Sequence, residues 1–377
     1  MDTFLDRQSG YFFEMNPSGL MADSLMGAGG GQSREWDGIW DAKVLRSDLG
    51  WTLEIEIPFR TLNFDPNGLA WGVNFQRTIR RKNEENLWTG QERNQGLRRM
   101  ANAGLLYIDI QGEGVTQGLG LDVKPYLAGS GEESPGRDPA TPLTGSADAG
   151  VDLFYNLTPG LRANLTINTD FAQTEVDQRL VNLTRFPLFF PEKRDFFLDG
   201  ATFFDFYVPR NRQNPNIAVQ PFFSRRIGLD ESGQPQKIDY GTKLTGQYGQ
   251  QDIGFLHVRT GEEDDVIGED FTVLRLKRRV LTQSYLGMFY SRRAERDATS
   301  ITEQTAGADF RLATSTFRGS NNLEVNGFLL WNTDPTDSDP GDNLAYGVRL
   351  DYPNDRWEAG MSFTEVQEDH DPAVGFT

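Results

Sequence analysis

Apolar and polar residues alternate with period two over much of the chain, the pattern of strands with one greasy and one wet face. The runs are longest between residues 119 and 366. Ala149, Val151, Leu153 and Tyr155 alternate with Gly150, Asp152 and Phe154, and a Pro-Gly turn over 156–160 leads into Leu161, Ala163, Leu165 and Ile167, which alternate with Arg162, Asn164, Thr166 and Asn168. Leu323, Val325, Leu329 and Trp331 form another run, and Leu344 to Tyr352 turns through Pro353-Asn354-Asp355-Arg356 into Trp357, Ala359, Met361 and Phe363. Each run is about nine to eleven residues, enough for a tilted strand to cross a bilayer, whereas globular strands average about five or six.

Connections alternate in length, short after Tyr155, Gln247, Arg278, Ser315 and Tyr352 and long at 129–146, 261–270, 292–303 and 333–343. Outer-membrane barrels show that asymmetry. Tyr155, Tyr240, Tyr248, Tyr285, Tyr290, Trp331, Tyr346, Tyr352 and Trp357 fall near strand ends, where an interfacial girdle would place them. In the run Phe271 to Arg278, Leu274 and Leu276 share one face, so Arg275 and Lys277 must point to the wet side. A large soluble sandwich would give the same alternation, and strand length and loop asymmetry favour the membrane. About eleven such strands are expected, an odd number for a complete single-chain bacterial barrel.

The first hundred residues carry shorter strands. Trp51, Leu53, Ile55 and Ile57 alternate with Thr52, Glu54 and Glu56 until Pro58, and Ser47-Asp48-Leu49-Gly50 joins this strand to the run 40–46 as a hairpin. Trp71, Val73 and Phe75 and the stretch Leu105 to Ile110 add two more, so a sandwich or jelly roll is expected, with Trp51 and Trp71 in its core. Trp36, Trp40 and Trp88 lie at strand ends or in loops, where an indole stacks on a sugar ring or, the favoured reading, caps the core; Arg77 and Arg80 are candidate hydrogen-bond donors to a polyhydroxyl ligand, against the favoured reading of a solvated ion-pair cluster with Glu84 and Glu85.

Composition narrows the chemistry. With 55 acidic against 37 basic residues the chain carries a formal charge of −18, which argues against nucleic acid as a partner. There is no Cys and there are only two His, so thiol catalysis and Cys- or multi-His-ligated metal sites are excluded. The acidic loop with Asp334, Asp337, Asp339 and Asp342 lacks the register of an EF-hand and suggests at most weak calcium binding; no other cofactor is expected. Residues 1–10 have neither the basic nor the apolar part of a secretory signal, and 367–377 read as an acidic loop that closes nothing; with the odd strand count, these suggest a fragment.

Between two strands lies a segment too long for a hairpin, 171–239, dense in aromatics. Its centre places Glu192, Lys193, Arg194 and Asp195 between the pairs Phe189-Phe190 and Phe196-Phe197. Four charges among phenylalanines must pair with one another or line water. A structural, ion-paired plug is the favoured reading, over a docking surface or a catalytic use of Glu192 and Asp195.

Two resemblances extend this reading. Trp36-Asp37-Gly38-Ile39-Trp40-Asp41-Ala42, Gly50-Trp51-Thr52 through Ile57-Pro58-Phe59, and Trp71-Gly72-Val73-Asn74-Phe75 with Arg77 and Arg80 resemble the second half of a family-9-type carbohydrate-binding module, a two-sheet sandwich. Val181-Asn182-Leu183-Thr184-Arg185-Phe186, Leu188-Phe189-Phe190-Pro191-Glu192-Lys193-Arg194 and Phe196-Phe197-Leu198-Asp199-Gly200, preceded by Asp170-Phe171-Ala172-Gln173, resemble a bacterial family catalogued as domain of unknown function 5916, from about Leu119 onward. Asp195 and Asp199 depart from the Pro and Glu expected there. The second resemblance implies an outer-membrane barrel behind a carbohydrate-binding domain and implies no reaction.

The chain is therefore expected to be all-β: half a carbohydrate-binding sandwich over 1–112, then an antiparallel meander of outer-membrane type over 113–377. Carbohydrate and outer-membrane lipid are the expected partners, in a Gram-negative-type bacterium. The expected role is sugar binding with uptake, and the rival is a surface hydrolase acting on glycosides.

Overall fold

The computed structural model describes residues 1–27, 32–34, 36–65, 68–90, 96–108, 120–134, 141–169, 192–207, 219–229, 236–262, 266–297, 301–333 and 342–375. It is nearly all β, and no helix among the described residues is long and apolar enough to cross a membrane.

The N-terminal part consists of short antiparallel ladders. β1 (Gly10–Met15), β2 (Met21–Met26) and β3 (Gln32–Ser33) make a three-stranded sheet, and β4 (Asp41–Ser47) and β5 (Gly50–Glu56) the hairpin read from the sequence. β6 (Ala70–Val73), β7 (Gln76–Ile79), β8 (Glu84–Leu87) and β9 (Gly104–Tyr107) follow, with β6 on β9 and β7 on β8. Tyr11, Leu62, Phe64, Trp71 and Val73 form the core of these ladders. Trp51 does not join it, contrary to expectation. The β4–β5 hairpin pairs with no further described strand, so its apolar face stays half open and Trp51 is covered by the Arg77 guanidinium, 4.8 Å from the ring centroid. The strand expected to include Phe75 ends at Val73, because Asn74 Oδ1 accepts the backbone N–H groups of Phe75 and Thr89 in place of a ladder partner.

Eleven antiparallel strands build the second part: β10 (Leu121–Ser134), β11 (Thr141–Thr158), β12 (Leu161–Thr169), β13 (Ile238–Tyr248), β14 (Gln251–Thr260), β15 (Glu269–Val280), β16 (Ser284–Glu295), β17 (Thr302–Phe317), β18 (Asn321–Asn332), β19 (Leu344–Pro353) and β20 (Glu358–Val366). Each pairs with its neighbours in sequence, so the sheet is a pure meander, open between its edge strands β10 and β20 rather than closed as a barrel. Two-to-four-residue links alternate with longer ones, as the sequence suggests, except that β10 and β11 extend into the region read as a loop, pairing Gly129 with Ala147 and Glu132 with Thr144.

The two faces of this sheet differ in kind. On the outer face Val151, Leu165, Leu244, Ile253, Phe255, Leu274, Leu276, Leu286, Met288, Leu312, Leu329, Val348, Leu350, Met361 and Phe363 have no covering layer among the described residues; Met288 is 68% exposed and Met361 72%. The inner face carries Ile238, Leu256, Val258, Phe271, Val273, Phe289, Phe328 and Leu330 toward the long connections, and Asp252, Arg275, Lys277, Asp309, Arg311 and Glu324 toward the short turns. Arg275 and Lys277 thus lie inside, opposite Leu274 and Leu276. Tyr285, expected in an outer girdle, also faces inward, 1% exposed, with its hydroxyl on Asp309 Oδ2 at 3.0 Å; its odd register beside Leu286 and Met288 forces this.

Three further segments meet the inner side. The described part of the insertion packs on the apolar half, with Phe196, Phe197, Phe204, Val219 and Ile227 in one core with the wall. The tail, read as a loop closing nothing, turns back into that core: Ala373 and Val374 are buried, and Phe223 N donates to Val374 O at 2.8 Å. The N-terminal part docks on the short-turn end, where Asp6 Oδ2 accepts from Gln247 Nε2 at 2.8 Å and faces Arg279 Nη1 at 3.2 Å, and Gln8 Nε2 donates to Ser284 O.

At the centre of the inner face Arg275 and Asp309 form a pair with both side chains 0% exposed, at 2.6 Å (Nη1–Oδ1) and 2.8 Å (Nη2–Oδ2). Asp309→Ala leaves the guanidinium buried and uncompensated, and we expect a loss of about 3 to 5 kcal/mol, while Arg275→Leu with Asp309→Leu recovers most of it. Thermal unfolding of the three proteins measures both; equal losses in single and double variants would refute this account.

Candidate functional site

The strongest concentration of buried polar chemistry is the contact between insertion and inner wall. Arg194 organises it. Its side chain is 0% exposed, and Nε and Nη2 reach Glu192 Oε1 and Oε2 at 2.9 and 2.8 Å, a two-pronged ion pair. The remaining donors go to Ile227 O at 2.8 Å and Ser224 O at 3.0 Å, which ties the strip 192–198 to the strip 219–229. Phe197 lies under the guanidinium, 4.1 Å from ring centroid to Cζ. Glu192 is satisfied equally well, since Oε1 accepts the N–H groups of Lys193 and Arg194 and Oε2 the hydroxyl of Ser224. Burial pushes its pKa up, but the Arg194 charge and these hydrogen bonds outweigh that and hold the carboxyl below the usual range.

The wall holds the insertion largely through main-chain carbonyls. Lys243 Nζ donates to Phe196 O and Asp199 O, Lys277 Nζ to Thr202 O at 3.2 Å, and Arg275 Nε to Asp205 O at 3.1 Å. Side chains add Lys124–Asp195 at 2.7 Å, Asn164 Nδ2 to Asp199 Oδ2 at 2.7 Å and Arg162 Nε–Asp199 at 3.4 Å. The single helical turn α1 (Asp195–Leu198) sets Phe196 and Phe197 edge to face, 5.0 Å apart. Room for the rings comes from missing side chains: a Cβ on Gly241 would lie 3.0 Å from the Phe196 ring, and one on Gly254 3.1 Å from Phe204. A Cβ on Gly287 would strike Arg275 and Asp309. Glycine inside a strand marks such close approach, and these three inward-facing glycines were the available sequence signal for it.

The sequence-predicted residues fall into separate places. Glu192, Arg194, Asp195, Phe196 and Phe197 are gathered as described, with Lys193 beside them; Phe189 and Phe190 lie outside the described residues. Trp36 and Trp40 meet at Phe13, at 6.0 and 5.2 Å, and Trp40 Nε1 donates to Asp23 Oδ2. Trp88, half exposed, sits edge-on to Phe75, Arg77 covers Trp51, and Arg80 is exposed. The five candidate sugar ligands therefore do not share one surface pocket. Of the acidic loop only Asp342 lies within the described residues, and no group of three metal-ligating side chains occurs among them. Lys243, Arg162, Asn164 and Asp309 were missed because their partners are backbone or distant in sequence.

Residues 118–253 match the family model described as Domain of unknown function (DUF5916), a stretch that runs from just before β10 through the insertion into β14. No curated protein and no solved structure matches the chain.

Because folding lowers the Glu192 pKa, its ion pair stabilises the protein above the unfolded carboxylate range and loses that contribution as pH falls through the folded value. Glu192→Gln should cost about 3 to 5 kcal/mol at pH 7, with the gap to wild type closing in acid. Thermal midpoints across pH 7 to 3 check this; a gap that widens toward acid would contradict it.

Proposed function

We propose that the chain is an outer-membrane protein whose eleven-stranded sheet is barrel wall, with the apolar face toward lipid and the insertion on the water side. The observation that carries this reading is the outer face itself. Two bands of aromatic residues cross it: Tyr155, Tyr248, Tyr352 and Trp357 near the short turns, and Tyr240, Tyr290, Trp331 and Tyr346 near the long connections. Tyr240 and Tyr248 are eight positions apart, about 26 Å of strand at roughly 3.3 Å per residue. Between the bands this face carries mostly apolar side chains with Thr242, His257, Thr272 and Thr314, and its charged residues gather at the band levels: Arg259 opposite Tyr240, Asp270 opposite Arg259, Arg278 opposite Gln251, Glu365 opposite Tyr346, and Arg292 next to Tyr290 and opposite Thr272. Soluble monomers rarely expose apolar patches above a few hundred Å², whereas an apolar band of about 25 Å between aromatic girdles suits a bilayer.

On this reading the N-terminal module is a carbohydrate-binding domain docked beneath the wall at its short-turn side, and the protein binds a sugar and takes part in its uptake. The rival, a glycoside hydrolase using Glu192 and Asp195, is poorly served by the geometry. A general acid needs a raised pKa, while Glu192 is locked to Arg194 and held low, and Asp195 is engaged by Lys124.

Purified full chain is expected to need detergent and to migrate differently on gels before and after heating. Val348→Arg, between the bands, should lower folding into lipid vesicles by about 2 to 4 kcal/mol. On a water-facing sheet the same exposed substitution would change stability by about 0.5 kcal/mol or less, and that result in detergent-free buffer would dismiss the membrane reading.

A further inference from the structure

Where the N-terminal part, the short-turn end of the wall and the insertion meet, the described residues enclose a cleft of about 400 Å³. The wall lines it with Asp122, Lys124 and Arg162, the insertion with Asp195 and Asp199, and the N-terminal part with Trp36. The charges are linked across the gap: Arg162 Nη2 meets Asp122 at 2.6 Å and Arg162 Nε meets Asp199 at 3.4 Å, alongside the Lys124–Asp195 pair. They are not closed off. Asp122 and Asp195 keep 60% and 56% of their side-chain surface, so their oxygens remain open to a further donor.

Deeper in the cleft stand Asp252 and Lys277, partners across β14 and β15. The Asp252 side chain is 3% exposed, and its Oδ1 accepts no hydrogen bond although Arg279 Nε lies 3.4 Å away. Arg162 Nε, also buried, likewise lacks a hydrogen-bond partner. Both atoms keep only long contacts to charged neighbours, at 3.4 Å, so the polar residues that line the cleft are not fully satisfied from within the protein.

We propose that this cleft binds a neutral, hydroxyl-rich solute of one or two sugar rings. The volume lies in the range of small-molecule pockets, about 300–1,000 Å³. Acceptors and donors alternate around the rim, so one hydroxyl can donate to Asp122 or Asp195 while its neighbour accepts from Lys124 or Arg162. An anion would face more carboxylates than cations, since six Asp and four Lys or Arg line the space. Trp36 supplies an indole beside the polar rim, suited to the apolar face of a sugar ring. The proposal rests on the carbohydrate reading above and relocates the site, because Trp40, Arg77, Arg80 and Trp88 do not line the cleft.

The test titrates the full chain, folded in detergent, with maltose, cellobiose and xylobiose, and with glucuronic acid and glucose 6-phosphate as anionic comparators. Tryptophan fluorescence and calorimetry report binding. At least one neutral disaccharide should bind saturably, Asp122→Asn with Asp195→Asn should raise its Kd at least tenfold, and Trp40→Ala should leave Kd within twofold. Should the double variant lose the wild-type heat-modifiable migration, Asp122→Asn alone serves, with at least a threefold rise. Unchanged affinity in the Asp variants, or loss confined to Trp40→Ala, overturns the cleft and leaves the carbohydrate reading intact. Absence of binding by every neutral sugar, or preference for an anionic one, overturns both. Detergent dependence and Val348→Arg are scored without sugar, so the membrane reading stands or falls apart from this outcome.

Discussion

A cation withdrawn from water must find oxygen, and the arrangement of this protein follows from where its inner cations find it. Lys243, Lys277, Arg275 and Arg194 reach carbonyls of the insertion, and Arg194 and Arg275 add a carboxylate each. Packing the insertion onto the wall takes these cations out of water, which would cost several kcal/mol per ion if its carbonyls did not receive them. Without the wall the insertion would expose Phe196, Phe197 and Phe204 to water. Each makes the other tolerable, and the carbonyl acceptors fix the path of the insertion's backbone rather than merely its side-chain contacts.

The same strands that turn charge inward turn hydrocarbon outward. Strand geometry allows nothing else once register is set, because a one-residue slip would exchange the two faces completely. Arg275 and Lys277 alternate with Leu274 and Leu276, and a slip would place two cations among the exposed leucines. The polar inner half therefore fixes the register of β15, and the ladders carry that register to β14 and β16.

Much of this was legible in the residues. Period-two patterning located the long strands and predicted the inward direction of Arg275 and Lys277, since parity depends only on sequence. Parity would also have placed Tyr285 inside; nearness to a strand end was the wrong criterion for it. The stretch 129–146 resembled a loop because Gly, Ser and Pro weaken strand propensity, yet the ladder between β10 and β11 carries the first to Ser134 and begins the second at Thr141. The carbonyl clamp was illegible, because a backbone acceptor leaves no mark in the sequence. The dispersal of Trp36, Trp40, Arg77, Arg80 and Trp88 was hidden for a related reason: spacing along short hairpins does not say which hairpins share a core.

The meander has a consequence for assembly order. Almost every pair of neighbouring strands can zip together locally, hairpin after hairpin, a low-contact-order route. The seam between β12 and β13 is the exception, since the whole insertion separates Thr169 from Ile238. There Asn164 and Lys243 stand directly opposite one another in the ladder, and both grip Asp199. The segment that postpones this pairing is thus also the staple that secures it, so two preformed blocks of sheet would join in the step that seats the insertion.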